Sequence, residues 1–426
     1  MIYEQERLKN FLRSTDGAFL LSELYQGGAE WQPQRYTQAI ERFAEHFGDA
    51  PIAVFSAPGR TELCGNHTDH QRGRVLAAAV TLDIIAVVSP VETGVIRIFS
   101  EGFDRVYEVG LDSLTPQVDE KNTSTALVRG VAARLAEFGY KAGGFNAYMT
   151  SQIPIGGGLS SSAAFEVLIG AIQNHLYNDG NISSLEIAKI GQYAENVYFG
   201  KPSGLLDQTT SSLGGIVYID FIEPDAPIVE KQEAPRWDYD ICIVNTGGSH
   251  ADLTCEYADI PHEMRGVADY FGCEVLREVD YTRFMAELND LRQSVPDRAI
   301  LRAMHFFDEN ERVLSQVEAL KEKRWNDYLS VMIESGRSSF MLLQNIYPIN
   351  SLTERGNALA LAMSEKLLKS KGAWRIHGGG FAGTIQALVS HEYTETYKKN
   401  MEGLFGAGSV CRLTIRPCGG YMLEIK

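Results

Sequence analysis

The sequence lacks an apolar run of the roughly 18–20 residues that a membrane-spanning helix needs. Its longest candidate, Val75–Pro90, is interrupted by Thr81 and Asp83. The first residues also lack the positively charged and then apolar pattern of a secretory signal. We therefore expect a cytoplasmic protein with no membrane partner.

Cysteines and basic residues are scarce. The chain has 6 cysteines in 426 residues, none in CxxC spacing, which argues against a zinc site or a disulfide framework. Its 39 Lys and Arg residues are outnumbered by 55 Asp and Glu residues, giving a net charge of −16. A nucleic-acid surface needs clustered basic side chains, so we expect no nucleic-acid partner. A phosphorylated small molecule is not excluded, because loop amides and one or two cations are enough to bind it.

The composition can form a core, and its periodicity is mixed. Hydrophobic residues make up 44% of the chain, which excludes wholesale disorder. Apolar residues have helical spacing before residue 50 and alternate as in strands from Ile52, while helical patterns dominate residues 259–345. We predict an α+β fold with mixed sheets covered by helices, and the length suggests two or three domains.

A glycine- and serine-rich segment, Ile153–Phe165, lies between a predicted strand and a predicted helix. Its three consecutive glycines allow a tight turn and a close approach to a ligand. The three serines that follow place hydroxyls at the helix start, where free N–H groups favour an anion. The segment lacks the lysine of a GxxxxGK[ST] loop and the pattern of a dinucleotide fold. It predicts a phosphate-binding loop, with an ordinary strand-to-helix turn as the alternative.

A second segment, Ala57–Gly73, is unusually dense in polar side chains. Within it stand Arg60, Asn66, His67, Asp69, His70 and Arg72. Amide, imidazole and carboxylate groups together can make several directional hydrogen bonds to sugar hydroxyls. Metal binding by the two histidines and the aspartate is conceivable, and a solvated loop is the simplest alternative.

Two further signals are weaker alone. Ile376–Ile385 is another glycine-rich turn before a predicted strand. Asp207 is the only charged residue between Pro202 and Leu213. Because an unpaired buried carboxylate is costly, Asp207 is expected to be paired or functional, with a helix cap as the alternative.

Together and in this order, these segments resemble the three motifs of the GHMP small-molecule kinases, most closely the galactokinase branch. That branch's first motif has the form PGRxNLIGEHTDYNxGxVLP, and here Pro58–Leu76 is PGRTELCGNHTDHQRGRVL. The second motif, GGGLSSSA, is intact at Gly156–Ala163. The third, GGGFGG, is matched at Gly378–Gly383, where Ala382 replaces one glycine. The resemblance extends from about Tyr36 to the C-terminus.

The resemblance implies an enzyme that transfers the γ-phosphate of ATP to the 1-hydroxyl of galactose or a related sugar. It makes Asp207 the residue that accepts or orients the hydroxyl proton, and Arg60 the cation that keeps Asp207 ionised. The ATP phosphates would be wrapped by Gly156, Gly157, Gly158, Leu159, Ser160, Ser161 and Ser162. Mg²⁺ would be held by Ser162 and Glu195. The sugar would be contacted by Asn66, His67, Thr68, Asp69, Gly204 and Tyr257.

The resemblance also implies two lobes with the active site between them. The N-terminal lobe, with the sugar motif, the phosphate loop and Asp207, is predicted to span residues 1–215. The C-terminal lobe is predicted to span residues 216–426, and its last strands are allowed to return to the first lobe. We expect a monomer or a weak dimer.

Departures from the family pattern are concentrated where the sugar would bind. Asn66 replaces a glutamate, so a group that only accepts hydrogen bonds becomes an amide that also donates. His70 and Gln71 replace a Tyr-Asn pair. The predicted substrate is therefore galactose or, as alternatives, a related sugar, a sugar acid or a polyol. A non-catalytic sensor of sugar and ATP is a further alternative, although the intact phosphate loop, Arg60 and Asp207 argue against it.

Overall fold

The computed structural model describes residues 1–26, 29–154, 157–233, 237–248, 253–350 and 352–425. Its helices are α1 Gln5–Leu12, α2 Thr15–Tyr25, α3 Gln32–Phe47, α4 Ser124–Glu137, α5 Ser161–Tyr177, α6 Ser184–Tyr193, α7 Leu206–Leu213, α8 Thr254–Tyr270, α9 Tyr281–Ala286, α10 Leu288–Leu291, α11 Asp297–Lys321, α12 Trp325–Ser338, α13 Gly356–Leu368 and α14 Thr394–Phe405. Its strands are β1 Ala53–Cys64, β2 Arg74–Val91, β3 Val95–Ser100, β4 Tyr107–Gly110, β5 Gly144–Ser151, β6 Ile216–Asp220, β7 Ile228–Gln232, β8 Tyr239–Gly247, β9 Gly372–Ile376, β10 Gly383–Ser390, β11 Val410–Leu413 and β12 Tyr421–Met422.

The larger sheet is built around β2, which at 18 residues is long enough to pair with several neighbours. β1 runs antiparallel to it from Ala53↔Val88 to Cys64↔Leu76. β5 pairs with the second half of β2 and β6 with the first half. β3 and β4 continue the sheet beyond β5, β7 continues it beyond β6, and β12 pairs with β1. The chain therefore returns to its first sheet at its far end.

Helices cover both faces of this sheet, because alternate residues of its strands are apolar on both sides. One face packs against α4 to α7 in the main core. The other face packs against α1 to α3, where Tyr36, Ile40 and Phe43 share a buried core with Val54 and Ile85. α6 begins with a reciprocal capping box, which satisfies two backbone donors at its start.

A buried ion network joins the N-terminal helices to the sheet. Asp83 on β2 is fully buried and accepts hydrogen bonds from Arg35 at 2.6 Å and Arg416 at 2.8 Å. Tyr25 donates its hydroxyl to the same carboxylate at 2.5 Å. Burial works to raise the pKa of Asp83, but the two arginines and the hydroxyl groups outweigh it and hold that pKa below its usual range. The interruption of the apolar run at Asp83 is therefore an attachment point for helices.

The second sheet is antiparallel, in the order β11-β8-β10-β9. α12, α13 and α14 pack on it, and the long α11 lies between α8, α12 and the larger sheet. The turn from β9 to β10 carries the third glycine segment back toward β1. This turn is where the second sheet contributes to the site.

The mixed architecture confirms the α+β prediction. The division at residues 215 and 216 stays a prediction; β6 and β7, which follow it, extend the first sheet. In the described part of the chain, no helix combines the length and the apolar character needed to span a membrane.

Candidate active site

The described part of the phosphate-loop segment, residues 157–160, leads into the start of α5. Gly158 has a φ of +74°, and a Cβ built there would lie 2.9 Å from Nδ1 of His377. Glycine therefore allows this part of the loop to press against the third glycine segment. The next residue, Leu159, is buried and its carbonyl accepts the backbone N–H of Arg60 at 3.1 Å. Gly156, which was also predicted to wrap the phosphates, lies outside the described residues.

The start of α5 faces the same space. Ser160 has a left-handed φ of 55° and does not cap the helix. Its hydroxyl instead donates to the carboxylate of Asp207. Ser161 and Ser162 form the first turn of α5, where backbone N–H groups and the helix dipole favour an anion.

Arg60 and Asp207 form a bidentate ion pair beside this turn. A register shift in β1 precedes Arg60, and Asp207 lies in the first turn of α7. Arg60 donates from Nε to Oδ1 of Asp207 at 2.5 Å and from Nη2 to Oδ2 at 2.7 Å. Its Nη1 donates to the carbonyl of Gly158 at 2.6 Å. Burial works to raise the pKa of Asp207, but Arg60 and the hydrogen bonds outweigh it and hold that pKa below its usual range. Asp207 is thus an ionised carboxylate able to accept a proton.

Glu195 is a second buried carboxylate near the loop. It lies in the wide helical turn that continues α6, a kind of turn often found at functional sites. Its Oε1 accepts hydrogen bonds from Ser162 at 2.9 Å and Lys201 at 3.0 Å. Its Oε2 accepts from Ser203 and Gln208, both at 2.8 Å. Lys201 was not predicted from the sequence, and it places a cation where a metal ion is expected.

A third buried carboxyl group, Glu166, lies near Glu195. Burial together with the like charge of Glu195 raises the pKa of Glu166 well above its usual range. Asp207 and Glu195 each pair with a cation, Arg60 and Lys201 respectively.

A cavity of about 560 Å³ opens on the other side of the ion pair. Its walls hold Arg60 and Asp207 together with most of the predicted sugar-binding residues: Asn66, His67, Asp69, Gly204 and Tyr257. Thr68 is different, because it is fully buried and donates its hydroxyl to backbone carbonyls at 2.9 and 2.6 Å. Thr68 therefore shapes the turn beneath the cavity.

The third glycine segment supports the cavity through three successive carbonyls, at residues 378–380. These accept hydrogen bonds from Nδ2 of Asn66 at 2.8 Å, Nε2 of His67 at 2.9 Å and the hydroxyl of Tyr257 at 3.0 Å. Burial raises the pKa of Tyr257 to about 12, so its hydroxyl stays protonated and donates. One backbone turn thus orients three side chains predicted to contact the sugar.

Asn66 and Asp69 of this wall also have close neighbours. The Asn66 side chain also donates to Glu62 at 3.2 Å and accepts from Asn345 at 2.8 Å. A Cβ at Gly204 would overlap Oδ2 of Asp69, so glycine allows the chain to pass close to this carboxylate. Burial raises the pKa of Asp69.

His377 connects the two sheets at the centre of the site. Its Nε2 lies 3.0 Å from the hydroxyl of Thr61 on β1, and its Nδ1 lies 3.0 Å from the hydroxyl of Thr384 on β10. Burial, with Arg60 and Arg375 nearby, lowers the pKa of His377 to about 3. A neutral imidazole therefore holds the third glycine segment against the phosphate loop.

Comparison with known proteins agrees with this geometry. Residues 41–90 match the galactokinase galactose-binding signature, and residues 126–215 match the GHMP kinase N-terminal domain. A galactokinase of Actinobacillus pleuropneumoniae is 31% identical over 85% of this chain and 91% of its own. The chain belongs to the galactokinase family.

Solved structures agree with this membership. A Lactococcus lactis galactokinase in complex with galactose has a TM-score of 0.79 and 26% identity, covering 92% of this chain and 100% of its own. The Methanococcus jannaschii mevalonate kinase shares the fold, with a TM-score of 0.61 at 16% identity over 85% of this chain and 98% of its own. The prediction of a kinase of this family is confirmed, while the individual site residues stay predictions.

One cavity residue was missed at the sequence level. Glu62 lines the cavity two residues after Arg60. The galactokinase motif has asparagine at this place and glutamate four residues later, whereas this chain has Glu62 and Asn66. This exchange of glutamate and asparagine between the two positions was the sequence signal that could have indicated Glu62 as a cavity residue.

Proposed function

We propose that this chain transfers the γ-phosphate of ATP to the anomeric 1-hydroxyl of galactose. The observation that carries the proposal is the ionised Asp207, held by Arg60 between an anion-binding helix start and a cavity of sugar size. The galactokinase relatives and the galactose complex of the Lactococcus protein support galactose over the other sugars and polyols. The intact ion pair supports catalysis over a sensor role.

Asp207 and Arg60 carry the chemical step. Asp207 accepts a hydrogen bond from the sugar 1-hydroxyl, which orients the hydroxyl oxygen toward the γ-phosphorus, and takes the hydroxyl proton as the new P–O bond forms. The bond between the γ-phosphorus and its bridging oxygen breaks in the same transfer, and ADP leaves. Arg60 stabilises the negative charge on the transferred group. Because Arg60 also lowers the pKa of Asp207, the carboxylate is in its accepting form at neutral pH.

The remaining residues hold ATP and its counterion. Gly157 to Ser162 and the N-terminus of α5 bind the phosphates through backbone N–H groups. Ser162 and Glu195 fit Mg²⁺, because their oxygens lie 2.9 Å apart and Mg²⁺ takes one or two protein oxygens, with phosphates and waters completing its shell. When bound, the ion neutralises charge on the phosphates. Lys201 donates to the same oxygen of Glu195 as Ser162 and adds a positive charge there.

The cellular setting follows from the same chemistry. A kinase that uses ATP and a free sugar works where both are present, which supports a cytoplasmic location. Galactose and ATP are the proposed small-molecule partners, and a monomer or weak dimer stays a prediction.

Coupled ADP release across a panel of sugars tests the proposal. We expect galactose to be turned over faster than glucose, mannose, galacturonate and galactitol, and phosphorus NMR to show a 1-phosphate. Asp207→Asn should abolish the rate while leaving ATP binding by calorimetry within about twofold. Turnover of another polyol with galactose inert would refute the assigned substrate, and full activity in Asp207→Asn would refute the assigned role.

A further inference from the structure

Glu62 occupies the cavity wall next to the reacting pair. Arg60 and Glu62 are two residues apart on β1. Their side chains therefore leave the same face of the strand, about 6.8 Å apart along it. Both line the cavity, and the Glu62 side chain keeps 12% of its surface exposed. A sugar bound with its 1-hydroxyl at Asp207 therefore lies in the same cavity as Glu62.

The two carboxylate oxygens of Glu62 have different surroundings. Oε1 accepts a hydrogen bond from Nη2 of Arg375 at 2.7 Å and one from Nδ2 of Asn66 at 3.2 Å. Oε2 accepts none from the residues that the structure describes, and it is not sealed from solvent. The carboxylate therefore has one oxygen for the protein and one for the cavity.

Arg375 fixes this arrangement. It is a fully buried arginine on β9, and Glu62 is the carboxylate to which it hydrogen-bonds. Moving Glu62 away would take the hydrogen-bonded carboxylate from this buried cation, which is unfavourable even though the charge of Glu309 also acts on Arg375. Glu62 is therefore a preorganised acceptor on the cavity wall.

Asn66 cannot play this part. Its Nδ2 donates to Glu62 and Gly378, and its Oδ1 accepts from Asn345. Its side chain is fully buried. The exposed hydrogen-bond acceptor in this part of the cavity is thus supplied by Glu62, four positions before Asn66.

We propose that Glu62 is a specificity-determining residue that accepts a hydrogen bond from a sugar hydroxyl and excludes acidic sugars. The inference rests on the proposed function and narrows its substrate class. A carboxylate only accepts hydrogen bonds, so the sugar must present a hydroxyl that donates. A sugar acid would place a like charge beside Glu62, and a site that rejects a competitor in this way gains selectivity.

Glu62→Gln tests the inference with galactose, its 2-, 3-, 4- and 6-deoxy derivatives and galacturonate. In the parent protein, one deoxy sugar should lose about 10- to 100-fold in kcat/KM, the value of a hydrogen bond to a charged group. In Glu62→Gln, galactose should lose a similar factor, that deoxy sugar should lose little more, and galacturonate should gain. The KM for ATP should stay within about twofold.

Glu120→Gln is the matched control, because Glu120 also forms a partly buried pair with an arginine, Arg129, but does not line the cavity. It should leave the sugar profile unchanged. If Glu62→Gln fails to fold, the double variant Glu62→Gln with Arg375→Gln removes the unpaired cation and gives the same comparison.

The outcomes separate the two proposals. A Glu62 variant that lowers the rate for all sugars by one factor, or leaves every ratio as in the parent, overturns the role of Glu62 while the sugar kinase stands. Ready turnover of galacturonate by the parent protein also overturns it. A parent protein that phosphorylates no sugar refutes the proposed function itself.

Discussion

Replacing Arg60 by glutamine should separate its two roles. The change removes both hydrogen bonds to Asp207, at 2.5 and 2.7 Å, and the one to Gly158 at 2.6 Å. It also removes the positive charge that we propose stabilises the transferred phosphoryl group. Loss of a cation of this kind costs about 10³-fold or more in kcat. Binding of ATP depends mainly on loop amides, so its dissociation constant should change much less.

The pH profile gives the sharper test. Asp207 has a lowered pKa because Arg60 and hydrogen bonds outweigh burial, so the rate of the parent protein should be level from neutral into mildly acidic pH. Without Arg60, burial is less opposed and the pKa of Asp207 rises. The acidic fall in log kcat/KM should therefore move to higher pH. Coupled ADP release at a series of pH values measures this.

Arg72→Gln is a suitable control, because Arg72 belongs to the same segment but pairs with the exposed Glu274 and Glu278. Its profile should match that of the parent. If Arg60→Gln lowers kcat while its acidic limb stays in place, Arg60 acts on the phosphate alone and our account of the Asp207 charge is wrong.

Three other changes have defined outcomes. Gly204→Ala should raise the sugar KM and leave the ATP KM unchanged, because the new Cβ would overlap Oδ2 of Asp69; equal effects on both constants would contradict this. Lys201→Met should lower the Mg²⁺ concentration that gives half-maximal rate, because the ammonium no longer competes for Oε1 of Glu195; an unchanged requirement would show no competition. Asp83→Asn should cost about 3–5 kcal/mol of unfolding free energy in urea, because two buried arginines lose their counter-charge. Since the pKa of Asp83 is lowered in the folded state, its contribution to the free energy of unfolding is present above the ordinary aspartate pKa and is lost as the pH falls through the folded pKa. If the difference in unfolding free energy between the parent and Asp83→Asn stays the same as the pH falls through the folded pKa, this account of Asp83 is wrong.

Local sequence was enough to predict Asp207 and the phosphate loop, because both signals are local. Asp207 is a single charge in an uncharged stretch, and the glycine and serine run precedes a helix start, where free N–H groups favour an anion. Partners distant in sequence were not accessible in this way. Glu62 depends on Arg375 from another sheet, and the carboxylate of Asp83 depends on Arg416 near the far end of the chain.

Side-chain direction was the other limit. Thr68 lies within the predicted sugar segment, yet its hydroxyl turns to two backbone carbonyls. The strand predicted before the glycine- and serine-rich segment is present as β5, Gly144–Ser151. Periodicity did not show that β6 and β7 join the first sheet after residue 215, since strand partners depend on topology.

The pairing of β12 with β1 has a consequence for how the chain folds. An isolated segment of residues 1–215 would lack β6, β7, β12 and the buried Arg416. It would leave the part of β1 that pairs with β12, at Phe55 and Ser56, as an open sheet edge, which invites pairing with other chains. Contacts so far apart in sequence also form slowly. Residues 1–215, which include Arg60 and Asp207, are therefore not an autonomous folding unit, because strands from the rest of the chain complete their sheet.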